Sequence, residues 1–461
     1  MKNYKYRFET YSFFDYAGLE RHLAKMAAKG WQLESIGRTF WKYRKTEPAR
    51  LTYSVTYAPD ASVWDPEPTE DQQALTDYCT AAGWRKVCDL AQLQIFCTDQ
   101  ENPTPIETDE QIRLDIIKKT MKKIFKSSHL LLGAIFLMNI VLRAVDLVRR
   151  PLDFLSDGTS IWSALILLWG LMLLVFDFVY FRCWVKQSEK NIAKGGRCAE
   201  PKGYRTFTHI SWIGLLILIV LMLMQSVAFA KIMFLYGIGI LFVIAGTMAT
   251  QKLLKKKGVS KGFNIAVTLT VDCLLVVLLT AAIMSYSMSN HLFSREADDY
   301  YMVGDYQWKI YHDDLPLVVE DLIDSEYEYY SYEKHSDNSI FLSYDDCWQN
   351  CPPSGETPPP TMHYEVYTVK MDFLYDMVRR EIEEDALRYF DEEGRAYSGY
   401  VAVSDPAWQA DSIYQFCFGD SQAQLMENEW LICKDNKLIV FRPYFELTDE
   451  MKSIVTEKFA S

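Results

Sequence analysis

Residues 210–230, ISWIGLLILIVLMLMQSVAFA, run for 21 positions without a charged side chain. An α-helix rises about 1.5 Å per residue, so this run is long enough to cross roughly 30 Å of hydrocarbon. Stretches of the same character lie at about 128–148, 161–182, 232–251 and 264–288. With 209–229 they predict five transmembrane helices. The last contains VTLTVDCLLVVLLTAAIM, whose single charge is Asp272.

Working outward from the spans, Lys and Arg in the short flanking loops set the expected direction. KKTMKKIFK carries five, RCWVKQSEKNIAKGGRCAEPKGYR seven and KLLKKKGVSK five, against Arg149, Arg150, Lys231 and Arg295 on the other side. Seventeen against four places the N-terminus in the cytoplasm and the C-terminus outside the cell membrane. The first thirty residues hold no apolar core of signal-peptide length, in keeping with a cytosolic start. The basic loops also suit anionic lipid headgroups. Charge divides the same way: residues 289–461 carry 13 basic and 36 acidic side chains, and residues 1–288 carry 35 and 25. The expected organisation is therefore a cytosolic domain over 1–105, a basic linker helix over 106–127, five spans over 128–288 and an acidic extracytoplasmic domain over 289–461.

Within 1–105, YKYRFET alternates, with Tyr4, Tyr6 and Phe8 expected on the buried face. A helix follows with Leu19, Leu23, Met26 and Ala27 on its apolar side, and Gly30 stops it. TFWKYRK and LTYSVTY read as strands, a helix over about 69–82 (Leu75, Tyr78, Cys79, Ala82) stops at Gly83, and LAQLQIF closes the set. This order predicts a ferredoxin-like βαββαβ domain. Gly30-Trp31 and Gly83-Trp84 are then structural equivalents, the glycine permitting the turn and the tryptophan starting the returning strand. The open sheet face would carry Lys5, Arg7, Lys42, Arg44, Thr52, Ser54, Thr56, Gln92 and Gln94, with Phe40 and Phe96 as its only rings. RNA-binding sheets need aromatic platforms there, so nucleic acid is not expected. A docking surface for a protein partner, a small effector or a second copy fits better, beside the plain alternative of a solvated face.

The segment YRFETYSFFDYAGLERHLAKMAAKGWQLESIGRTFWKYRKTEPARLTYSVTY resembles the opening of bacterial membrane proteins catalogued as domain of unknown function 2812. The likeness rests on Asp15, Met26, Ala27, Gly30, Trp31, Leu33, Tyr53, Val55 and Tyr57 and covers roughly the first hundred residues. It implies a cytosolic domain followed by several spans, often encoded beside PadR-type transcription regulators. It implies no activity, and it carries over no catalytic residue.

In the acidic segment, SIYQFCF and EWLICKDNKLIVFRPY read as strands, the latter a hairpin turning at Asp435-Asn436. MDFLYDMVRREIEEDALRYFDEEG reads as an amphipathic helix stopped at Gly394, and CPPSGETPPPT as a stiff loop, giving an α+β domain. Cys347, Cys351, Cys417 and Cys433 lie on the side where disulfides persist. Cys347–Cys351 and Cys417–Cys433 are candidate pairs, with unpaired buried thiols the open alternative. The acidic pairs Asp298-Asp299, Asp313-Asp314 and Asp345-Asp346 have oxygen donors for Ca²⁺ but no EF-hand spacing, so solvated acids are the simpler reading and no metal is expected.

Ionisable groups inside spans are functional candidates by default. Arg143 and Asp146 can pair with each other, Asp177 with Arg182, and Asp272 has no partner nearby in sequence. A phosphate loop, a nucleophile elbow and a His-Glu-X-X-His motif are absent from the sequence, so no enzyme and no cofactor is expected. The expectation is a non-enzymatic signalling or sensing membrane protein, contacting lipid, a cytosolic protein and an extracellular ligand or protein. The alternative is a transport component, with Asp272 as its first suspect.

Overall fold

The computed structural model of the chain describes residues 3–9, 11–37, 40–125, 129–290, 295–325, 327–352, 359–387, 398–418 and 425–460. They fall into two compact units. One is Met1–Ile140 with Ile166–Val220 and Ala230–Tyr286, and the other is Val141–Leu165 with Leu221–Phe229 and Ser287–Ser461.

The first unit begins β1 (Tyr4–Phe8), α1 (Tyr16–Ala28), β2 (Trp31–Ile36) and β3 (Phe40–Lys45). The pattern then repeats as β4 (Thr52–Tyr57), α2 (Glu70–Ala81), β5 (Arg85–Leu90) and β6 (Leu93–Thr98). The strands form two antiparallel three-stranded sheets of equivalent order, β1-β3-β2 and β4-β6-β5. This corrects the ferredoxin-like βαββαβ expectation. The residues after each Gly-Trp form a full strand, so each half is βαββ and closes as its own sheet. The two halves match in detail: Gly30 and Gly83 both have left-handed backbones, at φ +76° and +84°. Each is followed by a bulge at the same offset, between Leu33 and Ser35 and between Lys86 and Cys88.

Burial corrects two strand faces. Tyr4, Tyr6 and Phe8 are exposed, while Glu9 is buried, where Arg7 Nε at 3.1 Å and His22 Nε2 at 3.0 Å satisfy it. The ion cluster, rather than the rings, faces α1. The supposed open face of the second sheet is also covered. Ser54, Thr56, Gln94 and Phe96 are buried, and Phe96 packs with Cys79 of α2 and with Trp84. Tyr78, expected on the apolar side of α2, is exposed.

Helix α3 (Glu110–Ile124) turns its Lys-rich side outward and buries Leu114, Ile117 and Met121 in the main core of this unit, with Leu19, Leu23, Tyr43 and Val55. Then come α4 (Leu130–Arg149), the short α5 (Pro151–Ser156), α6 (Gly158–Ile192), α7 (Tyr204–Leu223), α8 (Val227–Lys256) and α9 (Lys261–Ser289). Among the described residues, five helices, α4 and α6 to α9, are long and apolar enough to cross a membrane. At 35 residues α6 is about 50 Å long, well beyond the hydrocarbon thickness. Its end holds Tyr180, Phe181 and Trp184, which with Tyr204 of α7 enclose the ring of Phe14 at centroid distances of 5.1–6.1 Å.

The second unit is built on a seven-stranded antiparallel sheet. In chain order its strands are β9 (Ser331–Asn338), β10 (Leu342–Asn350), β11 (Met362–Val369), β12 (Ser398–Val403), β13 (Ser412–Phe418), β14 (Leu425–Lys434) and β15 (Lys437–Pro443), after a hairpin of β7 (Asp299–Val303) and β8 (Tyr306–Ile310). Across the sheet they lie as β12-β13-β14-β15-β11-β10-β9. The β14–β15 hairpin turns at Asp435-Asn436 as read, with Asp435 at φ +53°. Helix α10 (Tyr375–Asp385) and α5 cover one sheet face through Val378, Ile382 and Leu155, and α11 (Asp449–Phe459) covers the other through Val455 and Phe459. Gly394 and part of the proline loop, residues 353–358, lie outside the described residues.

Candidate functional site

On the face covered by α5 and α10, the second unit carries a partly open cavity of about 280 Å³. One wall is the chain leaving α4: Arg149, Arg150, Pro151, Leu152, Asp153 and Ser156. Pro151 opens α5, where its missing N–H costs nothing. Leu155 anchors this wall in the core, and the Ser339 hydroxyl donates to the Leu155 carbonyl. Asp157 then accepts from the N–H groups of Thr159 at 2.8 Å and Ser160 at 3.0 Å, which starts α6.

The opposite wall follows from the period-two geometry of strands. Glu365 and Tyr367 alternate along β11, and Val440 and Arg442 along β15, so all four point to one face. Tyr344 of β10 lies directly across from Tyr367, their rings 4.9 Å apart, and Tyr400 comes from β12. Helix α10 adds Glu381 and Asp385, one turn apart.

Arg442 is the hub. Its Nη1 is 2.6 Å from Glu365 Oε1 and 3.1 Å from His363 Nδ1, and its Nε is 3.0 Å from Glu429 Oε2. The Tyr367 hydroxyl donates to Glu365 and the Tyr400 hydroxyl to Glu429, each at 2.7 Å. Burial alone would lower the Arg442 pKa, but the Glu429 and Glu365 carboxylates outweigh it and hold the guanidinium charged. Burial, with Glu365 nearby, raises the Tyr344 and Tyr367 phenols, so both rings stay neutral. Burial also raises the Glu381 carboxyl, helped by Glu384 and Asp385. His363 has its other nitrogen 2.7 Å from Asp346 and stacks on Trp348 at 3.6 Å. With both ring nitrogens engaged, it acts as a spacer in the network rather than as an available base.

The residues singled out from sequence lie elsewhere. Asp272 gains a partner from the neighbouring helix: the Thr247 hydroxyl is 2.6 Å from its Oδ1 and 2.9 Å from the Val243 carbonyl, and can donate to one of them. Asp177 pairs not with Arg182 but with the Tyr204 hydroxyl at 2.8 Å, with His129 Nε2 at 3.9 Å. Five residues along a helix is a turn of about 500°, which points Arg182 away from Asp177. Arg143 and Asp146 do meet, loosely, at 3.9 Å.

Cys347, Cys351, Cys417 and Cys433 are free thiols, and the sheet explains why. Cys417 is across from Met426 and Cys433 from Ser412, about five residues apart along the ladder, or roughly 16 Å. Cys347 and Cys351 are separated by extended strand. Burial pushes the Cys347 thiol up to about 12, so it is unreactive. Members of the acidic pairs are engaged by basic side chains: Asp298 and Asp313 share Arg295, Asp345 meets Lys334 and Asp346 meets His363. Among the described residues no three potential ligands converge on a metal position.

Trp84 is buried and its Nε1 donates to the Thr104 carbonyl at 2.9 Å, whereas Trp31 is half-buried with Lys5 over its ring. Asp15 is the N-cap of α1, accepting from Gly18 N–H at 3.0 Å. Sequence reading missed a buried polar cluster in the first unit. Arg113 pairs with Glu107 and Glu110, and Glu110 accepts from the Tyr16 hydroxyl at 3.3 Å and the Cys198 N–H at 3.0 Å. Glu20 lies beside it, accepting from Val55 N–H at 2.8 Å. The available signal was the 107-110-113 charge spacing around the Asp109 cap.

A family model described as a protein of unknown function (DUF2812) matches residues 15–129. No curated protein and no solved structure matches the chain.

Proposed function

We propose that the chain is a non-enzymatic, multi-pass protein of the cell membrane that senses a ligand at its outer α+β domain and reports to the cytoplasm through the 1–125 domain. The five apolar helices cross the bilayer, the basic loops hold the N-terminus inside, and the acidic C-terminal domain lies outside. The observation that carries this reading is the position of the cavity. One of its walls, residues 149–156, is the direct continuation of membrane helix α4, so whatever fills the cavity presses on the end of a span. Inside, the basic loop that follows α6 meets Glu110 through Cys198, which gives the N-terminal domain a contact with the membrane helices that a rearrangement would alter. The output is a protein partner of the N-terminal domain.

The test needs no ligand. Asp153 is an exposed residue on the cavity wall, and Asp153→Trp would fill part of the space. In the full chain in lipid nanodiscs, amide hydrogen exchange should change over 130–156 and also over 1–125. If only 149–156 responds, sensing toward the cytoplasm is wrong. A transport role is the second reading, favoured by Asp272 and Thr247 meeting at 2.6 Å within the spans. It requires that Asp272→Asn alter ion flux in reconstituted vesicles; absence of flux in both proteins removes it.

A further inference from the structure

We propose that the 280 Å³ cavity binds an alkylammonium group, the tyrosine rings and carboxylates of its walls forming the site. This deepens the sensing reading and rests on it. Four carboxylates line the space, Asp153, Glu365, Glu381 and Asp385. Arg442, the guanidinium set into the sheet wall, is already shared between Glu365 and Glu429, so this pair of acids around one base leaves the wall net negative. An incoming anion would have to displace one of those short contacts. An incoming cation need displace none.

The aromatic part of the wall points the same way. Tyr344, Tyr367 and Tyr400 all line the cavity, and two of their hydroxyls are tied to carboxylates, which fixes the rings in place. Neutral rings converging with acids are the arrangement that recognises ammonium ions, whose charge is attracted to the electron-rich face of the ring. Glu381 and Asp385, adjacent on one side of α10, repel each other, and a bound cation relieves that repulsion. The volume suits a group of a few heavy atoms rather than a polymer.

Arg149 and Arg150 complete the lining from the end of α4. They oppose a bare cation but suit the phosphate of a phospho-amine, so the ammonium has two possible sources: a free amine or a zwitterionic lipid headgroup. The shared chemistry is the alkylammonium, and the test separates the sources.

The full-length protein in a maltoside detergent is titrated by calorimetry with tetramethylammonium, n-butylammonium, phosphocholine, n-butanol and butyrate. Saturable binding of the ammonium probes is expected, without binding of butanol or butyrate. In the Glu381→Gln/Asp385→Asn variant, affinity should fall about tenfold or more while the melting temperature without probe stays near wild type. If phosphocholine binds more tightly than tetramethylammonium, and Arg149→Gln/Arg150→Gln removes that gain, the ligand is a headgroup; equal affinities mark a free amine. Ammonium binding unchanged in the acidic double variant overturns the site. Equal binding of butyrate or butanol, or no binding of any ammonium probe, overturns the class. Either failure, with the Asp153→Trp exchange response intact, leaves the sensing reading standing; ammonium binding with a silent Asp153→Trp variant removes the sensing reading alone.

Discussion

Glu20 shows how one side chain couples the N-terminal domain to pH. Burial pushes its carboxyl from the ordinary 4.5 up to about 7, against the opposing effect of the Val55 N–H and Arg113. A raised carboxyl binds its proton more tightly when folded than when unfolded, so stability is greatest below about pH 4.5 and declines as pH rises to about 7. Glu20→Gln keeps an acceptor for Val55 and removes the proton. Thermal unfolding of this variant should lose that slope and gain up to roughly 3 kcal/mol above pH 7 relative to wild type. An unchanged slope would mean that Glu20 is not the titrating group. Gly30 makes a second residue-level test, because at φ +76° an added Cβ would sit 2.8 Å from the Thr46 carbonyl oxygen. Gly30→Ala should cost about 1–3 kcal/mol in chemical denaturation. Gly83→Ala should cost less, since the atom it meets is the end of the flexible Gln100 side chain.

At the scale of elements, α6 owes its role to length. Crossing a bilayer takes about 20 residues, and the C-terminal turns of this 35-residue helix carry Tyr180, Phe181 and Trp184, which receive Phe14. Phe14 is 3 % exposed, and Phe14→Ala opens a cavity worth about 3–5 kcal/mol at this contact. Hydrogen exchange of the full chain should then rise in α1 and in residues 180–204 while β10, β11 and β15 keep their protection. Uniform loss of protection would instead mean general unfolding. The same scale explains which strand readings held. LTYSVTY alternates, and opposite the face expected to carry Thr52, Ser54 and Thr56, Tyr53, Val55 and Tyr57 are buried and Leu51 is half-buried. YKYRFET alternates just as cleanly, yet the rings face outward. Alternation separates two faces but does not say which one meets a helix.

At the scale of the molecule, the prediction is topological. Protease applied to intact cells should reach the segment 289–461 and leave 1–125 untouched, and the reverse pattern would dismantle the sensing proposal. The repeat is also a whole-molecule matter. Gly30-Trp31 and Gly83-Trp84 were legible as equivalents, but their reading as one shared sheet failed, because hydrogen-bond partners between strands leave no trace in either segment alone. The candidate site was less legible still. Glu365 and Arg442 each interrupt an apolar strand, a signal of buried charge, but the sequence does not show that they meet each other and Glu429.

Local pattern, then, determined what depends on neighbours in the chain. It identified five apolar helices from composition and length, helix stops from glycine, the β14–β15 hairpin from Asp435-Asn436, and the lopsided distribution of charge. Only tertiary structure decided what depends on groups distant in sequence: the split into two βαββ sheets, the partners of Asp177 and Asp272, the separation of Cys417 from Cys433, and the cavity joining residues 149–156 to strands two hundred positions later. The reason is physical. Helical and extended periodicities fix the direction of each side chain relative to its own backbone, whereas the energy of a contact depends on which distant surface is packed against it.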